Sequence, residues 1–161
     1  MAKHYCKVNN VIYEIWNEPK QVKWKENIKP YLLAVIKAIQ DIDKKNLIVV
    51  GRSTFSQDVD VVEGDPITGF VNIAYSLNFY AGTHHQELSK KVSIALKKNI
   101  AVVVTLWGTV NADGDGTVAT KETNAWVKFM TAKKLSSANR SINDKKEGAS
   151  GLKKGASSDG R

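Results

Sequence analysis

The run Ala101-Val-Val-Val-Thr105-Leu106 constrains this chain more than any other feature, because a near-continuous apolar strand suits the middle of a parallel sheet covered on both faces. Parallel neighbours cannot be joined by a hairpin, so the sequence must supply helical crossovers. It does so repeatedly. Expected strands at residues 11–17, 47–51, 71–79 and 101–106 alternate with longer amphipathic stretches, and a weaker strand is expected at 135–142. Pro30 opens the first helix, which carries Ile28, Leu32, Val35, Ile36 and Ile39 on one face. A second helix is expected over 87–98 and a third over 120–133, with Trp126, Phe129 and Met130 turned inward. The fold class is therefore α/β with a β-then-α repeat. Residues 148–161 are rich in Gly, Ser and Lys with almost nothing to bury, and read as a frayed tail after a unit spanning 1–147.

Length bears on how much of such a fold is present: 161 residues suffice for one core but are few for a complete eight-stranded α/β barrel. The net charge of +8 comes from lysines scattered over helix surfaces and the tail, with no zinc-ligand spacing or aromatic RNA-binding strand beside them. The charge reads as solvation, and no nucleic-acid partner is expected. Cys6 is the single cysteine, so neither an internal disulfide nor a multi-cysteine metal site can form. No run reaches the roughly 18 apolar residues of a membrane span, and the first residues lack a signal-peptide core. The expectation is a soluble chain without an export signal or a membrane partner.

In parallel α/β folds the chemistry gathers at the C-terminal ends of the strands. Those ends hold Asn17-Glu18, then Asn78, Tyr80 and His84, then Leu106-Trp107-Gly108, then the segment 139–147. A carboxylate, aromatics and amides form an inventory suited to a sugar.

Val11-Ile-Tyr-Glu-Ile-Trp-Asn-Glu-Pro19 resembles the strand-four segment of glycoside hydrolase family 5 cellulases. The likeness continues in family order through Trp24, Ile28-Lys29-Pro30-Tyr31, Asn46-Leu-Ile-Val-Val-Gly51, Ser56-Gln57-Asp58-Val59, Phe79-Tyr80-Ala81-Gly82-Thr83-His84 and Trp107-Gly108-Thr109. Asp144-Lys145-Lys146-Glu147 and Gly155-Ala156-Ser157 complete it, so the resemblance runs over residues 8–158 and is nearest to the bacterial-type endoglucanases also found in plant-parasitic nematodes. It implies a partial (β/α)8 barrel, with strands four to eight of eight. It implies no cofactor and no metal, β-glucan or cellulose as ligand, and a family that is usually secreted. Open sheet edges would offer a route to self-association.

Retaining enzymes of this kind use two carboxyl groups about 5 Å apart, one as acid/base and one as nucleophile. By resemblance, Glu18 takes the acid/base position. The nucleophile belongs to Thr-Glu-Trp-Gly, which reads here Thr105-Leu106-Trp107-Gly108. A leucine cannot attack an anomeric carbon. Phe55 and Asn78 stand where the family has tryptophan and histidine, and Ser137 and Arg140 stand at two tryptophan positions, the second a platform for sugar. Asn17, Tyr80, His84, Lys145 and Glu147 are retained and would contact substrate. The expected function is thus an endo-β-1,4-glucanase lineage, inactive as written, with a carbohydrate-binding pseudoenzyme or a truncated barrel piece as the alternative.

Two further motifs carry less. Asn111, Asp113, Asp115 and Glu122 have calcium-loop spacing, but the preceding element is a strand and not a helix. Asn139-Arg140-Ser141 is a glycosylation acceptor only in form.

Overall fold

Five strands are hydrogen-bonded in the order β1-β2-β3-β4-β5, which is also their order along the chain, in a computed structural model that describes residues 1–58 and 64–156. They are β1 (Ile12–Ile15), β2 (Leu47–Val50), β3 (Ile73–Tyr80), β4 (Val102–Gly108) and β5 (Ser137–Asn139). Pairing is parallel from β1 to β2, from β2 to β3 and from β4 to β5. The helices are α1 (Ala2–Tyr5), α2 (Lys29–Gln40), a single turn α3 (Ser53–Ser56), α4 (Gln86–Lys97) and α5 (Thr120–Lys133). Val59 and Ser157, both in the family-like motifs, fall outside the described residues. Two compact units divide the chain: Met1–Leu77 with Lys90–Val103, and Asn78–Ser89 with Val104–Arg161.

The first unit is built on α2. Lys29-Pro30 opens it, and Ile28, Leu32 and Ile36 are completely buried at the expected spacing. A π-helical turn, Trp24–Ile28, precedes it and was not legible beforehand; Trp24 donates from Nε1 to the Asp65 carbonyl at 3.0 Å. After α2, Asp43 organises the turn into β2 by accepting the amides of Lys45 and Asn46 at 2.9 and 3.1 Å and the Tyr13 hydroxyl at 2.9 Å. Ile48, Val49 and Val50 are all fully buried, as an internal parallel strand requires. The third strand starts at Ile73 and not at residue 71, because the Gln40 side chain donates to and accepts from the Val71 backbone in place of a sheet neighbour.

The second unit centres on α5, whose bounds match the expectation. Trp126 and Met130 are buried, and the Trp126 ring stacks on Phe79 with centroids 3.9 Å apart. The last strand is a correction: it covers Ser137–Asn139 and not 135–142. All three residues are exposed, so there is no apolar face to hold a longer ladder, and Ser141 donates its amide to Ala149 at 3.0 Å instead. Nor is the segment after 147 free of burial. Ala149 is 6% exposed and joins Tyr80 and Val110 in a small core.

Candidate functional site

In the first unit the relevant element is the end of β1. Gly51 donates its amide to Ile15 at 3.0 Å, and a Cβ on Gly51 would lie 1.6 Å from the Trp16 carbonyl oxygen. Only glycine lets the end of β2 approach Trp16-Asn17 so closely. Trp16 turns out of the strand at φ +55° and exposes part of its ring, which meets Tyr31 edge-on at 5.2 Å. Pro19 is buried, Glu18 half-buried and Asn17 exposed.

Two residues to which sequence reasoning gave no role hold this strand end. Ser56 is fully buried, and its hydroxyl donates to the Asn17 carbonyl at 2.7 Å while accepting the Arg52 amide at 3.1 Å. The Arg52 guanidinium, also fully buried, donates to the Ser56 and Ser76 carbonyls. Thr54, Phe55 and Ser56 all have φ between +52° and +61°, a left-handed turn that costs each L-residue strain and so is kept by its surroundings. Phe55 projects from it half exposed, with Lys20 Nζ 4.9 Å from its ring centroid. The serine was visible in the motif; an arginine at a strand end gave no sign that it would be buried.

The second unit brings together most of the other candidates. Tyr80 ends β3 and is buried; Gly108 lies against its ring, where a Cβ would be 2.5 Å from Cδ1. Leu106 packs on the cluster of Tyr80, Val110 and Ala149. The Tyr80 hydroxyl accepts a hydrogen bond from Arg140 Nη1, and the guanidinium stands 6.0 Å from the Tyr80 centroid. Arg140 Nη2 lies 3.8 Å from Glu147 Oε1, and Lys145 Nζ is 2.5 Å from Glu147 Oε2. Asn78 accepts the Thr105 hydroxyl at 2.9 Å. Asp115 binds the amides of Gly116 and Gly148, both at 2.9 Å, which hold its carboxyl below the usual range and fasten the loop to the segment that carries Glu147. Among the described residues no group of His, Cys, Asp and Glu is arranged to hold a metal ion.

His84 anchors the loop after β3. Its Nδ1 accepts the Tyr80 amide at 2.9 Å, and its carbonyl accepts Trp126 Nε1 at 2.7 Å. Burial pushes the imidazole pKa down, because the charged form is the one that loses hydration. A histidine held neutral in the folded state contributes stability that is complete above its ordinary pKa, near 6.5, and is lost as pH falls below it and the unfolded chain takes up the proton. The urea midpoint is therefore expected to fall between about pH 7 and 5, and His84→Gln is expected to flatten that slope. Equal slopes in the two proteins would show that His84 does not carry the effect.

The sequence profile of the family described as cellulase (glycosyl hydrolase family 5) matches residues 1–146. The chain belongs to glycosyl hydrolase family 5. Among its relatives, endoglucanase Z of Dickeya dadantii (strain 3937) is 56% identical over 150 residues, covering 93% of this chain and 35% of that protein. An endoglucanase of Clostridium saccharobutylicum is 47% identical over 161 residues, 99% of this chain and 36% of the relative. The chain spans about a third of the length of these curated relatives. Among solved structures, one from Cytophaga hutchinsonii superposes with a TM-score of 0.94 at 46% identity, over 98% of this chain and 51% of that one. The catalytic domain of the Thermobifida fusca endoglucanase Cel5A, solved in complex with cellotetraose, gives 0.91 at 27% identity, over 99% of this chain and 54% of that one. The fold is accordingly that of part of a (β/α)8 barrel, as the resemblance implied.

Proposed function

We propose that this chain derives from the catalytic domain of an endo-β-1,4-glucanase and has lost hydrolysis while keeping residues that can meet a β-glucan. In the retaining scheme Glu18 takes the acid/base position and position 106 the nucleophile. The observation that carries this reading is Leu106 itself: a hydrocarbon packed on Tyr80, able neither to attack the sugar nor to stabilise positive charge on it. Asn17, Tyr80, His84, Lys145 and Glu147 are the retained contacts; Phe55, Asn78 and Arg140 are the altered positions.

Family membership and the fold support the lineage; the alternative of a carbohydrate-binding pseudoenzyme is favoured by one feature, the polar cluster of Tyr80, Arg140, Lys145 and Glu147, which remains assembled beside the altered nucleophile position. A truncated barrel piece without any ligand is the other alternative. On this reading residues 1–147 are the catalytic-domain portion, onto which Ala149 of the following segment packs, and β1 and β5, at the two ends of the strand order, are the edges through which copies would associate. No helix among the described residues is long and apolar enough to cross a membrane.

The test is hydrolysis of soluble carboxymethylcellulose by the purified chain, with no turnover expected. Turnover that Glu18→Gln abolishes would overturn the loss of activity and require another nucleophile.

A further inference from the structure

Resting on the reading of this cluster as a saccharide site, we propose that the sugar it takes is anionic: a β-glucan oligosaccharide bearing a carboxylate, as a uronate or a carboxymethyl ether does. The starting point is charge that the fold leaves over. Glu147 is one carboxylate between two cations, with Lys145 at 2.5 Å and Arg140 at 3.8 Å, and its side chain is 6% exposed. The Arg140 contact is an ion pair beyond hydrogen-bond length, and Glu147 Oε1 has no hydrogen-bond partner among the described residues. Of the five donors on the Arg140 guanidinium, Tyr80 engages Nη1, and the side chain stays one-third exposed.

The neighbouring cavity, about 320 Å³, is lined by Asp115, Lys145, Lys146, Glu147, Leu152 and Lys154. Its two carboxylates are already committed, Asp115 to the amides of Gly116 and Gly148 and Glu147 to Lys145 and Arg140. Lys146 and Lys154 have no acidic partner among the described residues. Gly114, at φ +86°, brings its backbone over the ion pair, where a Cβ would lie 3.5 Å from Glu147 Oε2 and 3.6 Å from Arg140 Nη1. The result is a small recess, of a size for one substituted sugar unit, with cations in excess on its wall.

A neutral glucan offers this wall only hydroxyls. A carboxylate offers charge-assisted hydrogen bonds of the planar kind that a guanidinium matches, roughly twice as strong as neutral ones. Lys145, Lys146 and Lys154 on the wall then define ligand class by meeting the sugar's charge, with Arg140 joined to them through Glu147.

The experiment is calorimetric titration of the whole chain with three ligands: cellotetraose, the same tetrasaccharide oxidised to glucuronate, and sodium sulfate. At low salt the acidic tetrasaccharide is expected to bind about tenfold tighter than cellotetraose, and the advantage to vanish at about 0.5 M NaCl. Arg140→Gln is expected to remove the advantage, and exposed Lys146→Gln to lower it at least about twofold, each with an unchanged circular dichroism spectrum. Cellotetraose binding as tightly as the acidic sugar would overturn the inference and leave the saccharide site standing. Sulfate competing as well as the oligosaccharide would overturn it in favour of a general anion patch. Binding of neither saccharide would sink both the inference and the saccharide reading beneath it.

Discussion

Gly51→Ala is expected to unfold the chain or to cost more than about 4 kcal/mol, the range reserved for changes the fold cannot absorb. The added methyl would sit 1.6 Å from the Trp16 carbonyl oxygen and 2.8 Å from its carbonyl carbon. Both obstacles are backbone, so no side-chain rotation relieves them. Nor can β1 slide away cheaply: four residue pairs from Ile12↔Leu47 to Ile15↔Val50 fix its register, and the Gly51 amide closes the ladder on Ile15. Ser56 holds the next carbonyl, that of Asn17. Urea denaturation followed by circular dichroism measures the loss. A midpoint within error of the unmodified chain would mean that β1 and β2 do not approach in this way, and that the Asn17-Glu18 end is not fixed by its neighbour strand.

Trp126→Ala is the second large effect, at about 3–5 kcal/mol for a buried indole reduced to a methyl. Trp126 is 3% exposed; it stacks on Phe79 at 3.9 Å, meets Phe129 edge-on at 5.7 Å, and donates Nε1 to the His84 carbonyl. Its removal leaves a cavity and an unpaired carbonyl on the loop that follows β3, two costs that add. Trp126→Phe separates them, since it keeps the stacking and loses only the hydrogen bond. Thermal unfolding should place that variant between the other two. If Trp126→Phe were as damaging as Trp126→Ala, the hydrogen bond would outweigh the packing.

The strands themselves, though not their ends, were legible because side-chain periodicity is local: β-branched runs mark a covered parallel strand, and the loop after it follows in the chain. α5 was read to its exact bounds for the same reason, from an inward row of Trp126, Phe129 and Met130 between a polar start and Lys133. Of these, Phe129 is only half-buried and forms part of a recess with His85 and Lys121, a detail set by the neighbouring helix and not by spacing. The candidate residues Tyr80, His84, Lys145 and Glu147 could be named from motif order, but motif order carries no contacts. Nothing in the sequence indicated that Arg140 would donate to Tyr80, or that Arg52 would be buried under the strand end with Ser56.

The sequence by itself determined the α/β class, the five strands and the resemblance to glycosyl hydrolase family 5. The class and the strands follow from composition and spacing along the chain, which every residue carries wherever it ends up, and the resemblance follows from the residues of the motifs. Tertiary structure alone decided where β5 stops, that Ala149 is buried, which carbonyls Arg52 and Ser56 satisfy, and how Glu147 is shared between Arg140 and Lys145. Two of these pairings join groups far apart in the chain, 24 residues from Arg52 to Ser76 and 60 from Tyr80 to Arg140, and even the nearer ones exist only once the backbone has closed around them.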